Sequence, residues 1–75
     1  MRRLRNTDSR TEQESAILEA AAGEVALVGV GRLNMDVIAR QAGVSRSTLY
    51  RRFPSRDVLI TELGRQTFAF AMARL

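Results

Sequence analysis

Apolar residues recur along this chain at helical spacing in several separate stretches, and no stretch alternates with the period of two that marks a strand. Residues 1 to 10 lack any apolar periodicity and are expected to form a disordered basic arm. Beyond them, Ile17, Leu18, Ala21, Val25 and Val28 fall on one helical face. Thr11 and Glu14 match a capping box, a hydroxyl for an early helical N–H and a carboxylate reaching back. Gly29 and Gly31 end this first helix, because glycine enters the left-handed conformation at little cost.

The next helix is short, from Met35 to Gln41 or Ala42, with Asn34 as its cap and Asp36 where the helix dipole favours an acid. Ile38, Ala39 and Ala42 turn inward, and Gly43 breaks the helix. Val44 is apolar in the turn, and Ser45 caps a third helix from about Arg46 to Arg52. Leu49 and Phe53, four residues apart, anchor that helix inward. Pro54 forbids simple continuation, and Ser55 caps a fourth helix with Asp57 in its first turn. Val58, Leu59, Ile60, Leu63 and Phe70 give that helix its stripe. Its end stays apolar through Phe68, Met72 and Leu75, more than so small a core can take inside, so an exposed patch is expected there.

The expected fold is all-α. A three-helix helix-turn-helix domain, homeodomain-like, spans 11–56, and the start of a fourth helix spans 57–75. Seventy-five residues sit near the lower limit for an independent core, so stability should be on the order of a few kcal/mol. The chain has no cysteine and no histidine. That removes disulfides, thiolate metal sites and the commonest general base, so no metal and no cofactor are expected. The acids are scattered and no nucleophile–base pair is visible, so an enzyme is not expected. MRRLR resembles the start of a signal peptide, but residues 6–15 are polar where an apolar core should follow. No run approaches the ~20 apolar residues of a membrane span, so the expected compartment is the cytoplasm, with no membrane partner.

Charge sharpens the picture. The net charge of +4 comes from twelve basic residues, all arginine, against eight acids. Codon usage in a GC-rich genome is the plain explanation for the absence of lysine. The charges nevertheless segregate. Residues 11–28 hold Glu12, Glu14, Glu19 and Glu24 and no base, while residues 44–56 hold Arg46, Arg51, Arg52 and Arg56 and no acid. A polyanion is drawn to the second segment and repelled by the first.

The stretch 38–53, IARQAGVSRSTLYRRF, combines these features: two short helices, a glycine-containing turn, and a basic, polar second helix. Such a helix suits the major groove of duplex DNA, where a recognition helix reads base edges with its N-terminal residues. The base-reading candidates are Arg46, Ser47, Tyr50 and Arg51, and Arg46 is suited to paired bonds with guanine. The phosphate candidates are Asn34, Met35, Ser45, Thr48, Arg52 and Arg56, several through free N–H groups at helix starts. Arg2, Arg3 and Arg5 are candidates for an adjacent minor groove. Each has a plainer competitor: Tyr50 as a core aromatic, Arg46 and Arg51 as solvated charges, Thr48 bonded only to its own helix, the arm as a solubilising tail. The alternatives for the whole chain are a mobile-element or recombinase helix-turn-helix, or a helical protein-interaction module docking through residues 68–75.

From Glu14 to Leu63 the chain resembles the N-terminal DNA-binding domain of TetR-type transcriptional repressors. The matching positions are Asn34, Ile38-Ala39, Ala42-Gly43-Val44-Ser45, Thr48-Leu49-Tyr50, Phe53, Arg56 and Leu59. The resemblance implies a bacterial regulator that binds a palindromic operator as a homodimer and releases it when an inducer enters a C-terminal domain. It also implies phosphate or base contact at Tyr50, phosphate contact at Arg56, and operator-dependent roles at Arg46 and Ser47. Arg52 stands where such proteins often have His, and Val25 and Val30 where aromatics are frequent. The ligand-binding and dimerising domain is absent from these residues, so this chain is expected to bind no inducer and to be a monomer or weak dimer.

Overall fold

The computed structural model describes the backbone of residues 5–73, and side chains from Arg10 to Phe68 and at Met72. Within that range the order is α1 (Arg5–Val28), a 3-10 turn (Val30–Arg32), α2 (Met35–Ala42), α3 (Arg46–Arg52) and α4 (Arg56–Ala73), with no strand among the described residues. The all-α expectation holds.

α1 begins six residues before Thr11, so the capping-box reading is corrected: Thr11 lies inside a continuous helix. Residues 5–10, expected in the disordered arm, are helical. Once a helix is nucleated by packed turns, extending it through polar residues costs little, and apolar periodicity is not needed. Arg2 and Arg3 lie outside the described residues, as does the side chain of Arg5. Further along, Ile17, Leu18 and Ala21 are buried. Val25 packs against the core from its edge, but Val28 is exposed in the last turn of the helix, just before the chain turns at Gly29. Glu24, one turn after Ala21, takes an inward register that the apolar pattern did not mark. Its methylenes can pack there, and among the described side chains no fully buried oxygen or nitrogen lacks a hydrogen-bond partner.

α2 and α3 are closed at their ends by local chemistry. Asn34 Oδ1 accepts from the N–H of Asp36 at 2.9 Å and of Val37 at 3.3 Å. At the other end Gly43 adopts φ 74°, its N–H donates to the Arg40 carbonyl, and the Val44 N–H donates to the Ala39 carbonyl. This pair of bonds is a Schellman closure, and the positive φ is why glycine stands there. Ser45 Oγ accepts from the Thr48 N–H at 3.0 Å and donates to Thr48 Oγ1. Ser55 Oγ in turn accepts from the Val58 N–H at 3.2 Å, starting α4.

The core collects Ile17, Leu18 and Ala21 of α1, Leu33, Met35, Ile38 and Ala39, then Leu49, Phe53 and Leu59. Leu33 and Met35 are core residues that sequence reasoning missed, since they flank a cap rather than continue a stripe. In α4 the inward set is Leu59 with Ile60 and Leu63 packed beside it, while Val58 is exposed. At about 100° per residue, Val58 and Ile60 lie on opposite sides of Leu59, and the helix follows the Leu59–Leu63 row. Phe68 and Met72 are exposed as expected, and Phe70 and Leu75 fall outside the described side chains. No helix among the described residues is long and apolar enough to cross a membrane.

Candidate nucleic-acid interface

Leu49, fully buried, sets the orientation of α3, and Phe53 closes the same side just past the helix end. Counting about 100° per residue from Leu49, Ser47 and Arg51 point directly away from the core. Arg46 and Tyr50 share one flank, and Thr48 and Arg52 the other. Burial agrees with this wheel: Ser47, Arg46 and Arg51 are exposed, and Thr48, Tyr50 and Arg52 are half-buried.

Three of the four base-reading candidates are therefore exposed, Ser47 and Arg51 on the outer face and Arg46 on one flank. Tyr50 is half-buried and packs against the edge of the core. Arg46 lies over that ring, 5.7 Å from guanidinium carbon to centroid, a distance at which cation and π-face attract. Its Nη1 also donates to Asp36 Oδ1 of α2 at 2.8 Å.

The phosphate candidates divide. Asn34, Ser45 and Ser55 spend their side-chain oxygens on capping, so what each can offer a phosphate is the first-turn N–H groups its cap does not take. Met35 can offer only its backbone N–H, because its side chain is buried in the core. Thr48 is bonded to Ser45 through both its N–H and its hydroxyl.

Arg52 departs from expectation. Its Nε and Nη2 donate to Gln13 Oε1 of α1 at 3.3 and 3.0 Å, and it lines a shallow cleft with Glu14 and Glu62. The guanidinium is bonded to a neutral amide of α1 rather than left free at the surface of α3. Arg56 donates Nη2 to the Val30 carbonyl at 3.4 Å, a long bond that ties the start of α4 to the 3-10 turn.

Sequence reasoning did not single out Arg40. It is exposed and lies four residues after Asp36, hence on the same face of α2 as the residue that meets Arg46. The i, i+4 spacing from Asp36 was the available signal. Among the described residues no group of three or more acids could hold a metal ion.

A short capped helix, a left-handed glycine turn and a second capped helix with a basic outer face define a helix-turn-helix domain. The sequence pattern of the bacterial regulatory proteins, tetR family, matches residues 17–63, well over half of the chain. The chain belongs to that family. It is also 43% identical over 61 residues to uncharacterized HTH-type transcriptional regulators of Mycobacterium tuberculosis, one each from strains CDC 1551 and H37Rv. A counterpart of Mycobacterium bovis matches equally. Each match takes in 80% of this chain and 32% of the relative, so the chain spans about a third of the length of the curated relatives it matches. No solved structure matches significantly.

Proposed function

We propose that this chain is the DNA-reading domain of a bacterial transcriptional regulator, with α3 in the major groove of duplex DNA. The observation that carries the reading is the exposed surface of α3, where Ser47 and Arg51 point away from the core and Arg46 stands exposed on one flank, while Leu49 is buried. Ser47 and Arg51 lead into the groove, and Arg46 and Tyr50 follow on one flank. The start of α2, through the Met35 N–H, and the start of α4, through Arg56, hold the two neighbouring phosphate stretches. Ser45 and Thr48 order the start of α3 between them.

The names of the mycobacterial relatives and the family's membership support transcriptional regulation as the role. By the family resemblance the regulator is a repressor acting in the cytoplasm on a palindromic operator. It pairs two such domains, with half-sites about 34 to 36 Å apart or a multiple of that. The dimer and the inducer site belong to the two-thirds of the relatives' length that this chain does not cover. Phe68, with Val25, Val30, Ile60 and Leu63, lines an open apolar groove of about 510 Å³ that such a remainder would cover. Arg2, Arg3 and Arg5 are the residues this reading assigns to an adjacent minor groove.

Selection of bound sequences from a random duplex pool, followed by a salt titration, tests the reading. Steep loss of binding with salt and an enriched motif support it, whereas indifference to salt, or a pool that stays random, refutes sequence-specific binding. Deleting residues 1–8 should lower the salt slope if the arm touches DNA.

A further inference from the structure

An acid stands within the most basic part of the surface. Asp36 is 55% exposed and Arg46 is 64% exposed, yet the two are joined at 2.8 Å between consecutive helices. The same guanidinium lies over the Tyr50 ring, 5.7 Å from its centroid. An exposed ion pair of this kind contributes little to folding. A carboxylate at this position also weakens the attraction of the surface for every phosphate near it. What the contact does strongly is local: it limits where one long, rotamer-rich side chain can go.

The bond uses Nη1 and Oδ1 only. The Nη2–Nε edge of Arg46 remains open, and that edge can make paired bonds to O6 and N7 of a guanine. Without the carboxylate, a flexible arginine beside a duplex falls on the nearest phosphate, a contact that carries no sequence information. With the Asp36 carboxylate and the Tyr50 ring both in contact with it, the guanidinium is ordered before DNA arrives.

We propose that Asp36 is a specificity-determining positioning residue, which holds Arg46 for guanine readout and away from phosphate. This rests on the reading that α3 enters the major groove.

The test compares the wild-type chain with Asp36→Asn, Asp36→Glu, Arg46→Ala and the D36N/R46A double variant. Each is titrated over a salt series against a random duplex pool and against the duplex that the wild-type chain selects from it. D36N is expected to bind the random pool several-fold more tightly, with a salt slope steeper by about one, because Arg46 then neutralises a phosphate. Its preference for the selected duplex should fall about tenfold. D36E, which keeps the carboxylate, should recover part of that preference. In the R46A background, D36N should leave the preference unchanged.

Equal tightening on both duplexes, with the ratio preserved, would overturn the proposal and reduce Asp36 to a general repulsive charge. Equal loss of preference with and without Arg46 would overturn it too. Repeating the selection with D36N gives a readout that a loss of stability alone would not move: degeneracy at one guanine position supports the proposal, and an unchanged motif overturns it. If the wild-type chain itself binds no duplex in a salt-dependent way, the groove reading falls and this inference with it.

Discussion

The α2–α3 pair and the far half of α4 are both helical and both rich in apolar residues, but they are stabilised in opposite ways. α2 and α3 have eight and seven residues, too few to be stable alone, and each gains its ends from one side chain or one glycine. Their inward residues Ile38, Ala39 and Leu49 are buried. α4 runs for eighteen residues, and toward its end Phe68 and Met72 remain exposed at 65% and 51%. One region is complete within this chain, down to the orientation of its outer face. The other leaves large apolar side chains at the surface. Helix content therefore says little about how firmly each part of a small domain is held; capping and burial together do.

Substitutions can break or sharpen that contrast. The largest effect is expected at Leu49→Ala, which empties a fully buried position between α3 and the body and should cost about 2 to 5 kcal/mol. That is comparable to the whole stability expected of so small a domain, so urea denaturation should find the variant largely unfolded. If L49A melts like the wild type, α3 is not held by its buried face. Gly43→Ala should cost about 1 to 2 kcal/mol through the φ of 74° alone, since an added Cβ would meet no described atom within 4 Å beyond the glycine and its chain neighbours. A neutral result in the same denaturation series would mean that the turn relaxes out of the left-handed conformation.

Two arginines one residue apart on α3 sharpen the comparison further. Arg52→Ala should lower stability by about 1 kcal/mol by freeing Gln13, and should leave the slope of DNA affinity against salt nearly unchanged. Arg51→Ala should do the reverse, with a stability change within about 0.5 kcal/mol and a measurable loss of DNA affinity. Exchange of those two outcomes would place the DNA-facing side of α3 on the wrong flank. The smallest effect is expected in the far half of α4. Phe68→Ser with Met72→Gln should shift stability by no more than about 0.5 kcal/mol each, while sedimentation should report less self-association at high concentration. A large loss of stability there would mean that the far half of α4 is packed after all.

Much of this architecture was legible before any coordinates. Asn34, Gly43, Ser45 and Ser55 act within three or four residues of themselves, and each marks an element boundary where the structure has one. Leu49 and Phe53 were readable for the same reason, as near neighbours on a helical face. The start of α1 was not, because extending a helix through polar residues leaves no apolar signature. Nor was the burial of Met35 and Leu33, which depends on α1 lying over the start of α2. At the candidate interface, the exposure of Arg46, Ser47 and Arg51 was expected from the sequence. The companions of Arg46, Arg52 and Arg56 were not.

The sequence by itself determined the local grammar: where each short helix begins and ends, which residues face inward across a turn or two, and that one segment is basic and acid-free. Those properties arise from hydrogen bonds and side-chain spacings that span only a few residues. Only the tertiary structure decided what the arginines do. Arg52 reaches Gln13 across 39 positions, Arg56 reaches Val30 across 26, and Arg46 reaches Asp36 across ten. A guanidinium on a long flexible stem bonds whatever acceptor folding brings near it, and that neighbour is set by how the helices cross rather than by the residues beside it in the chain.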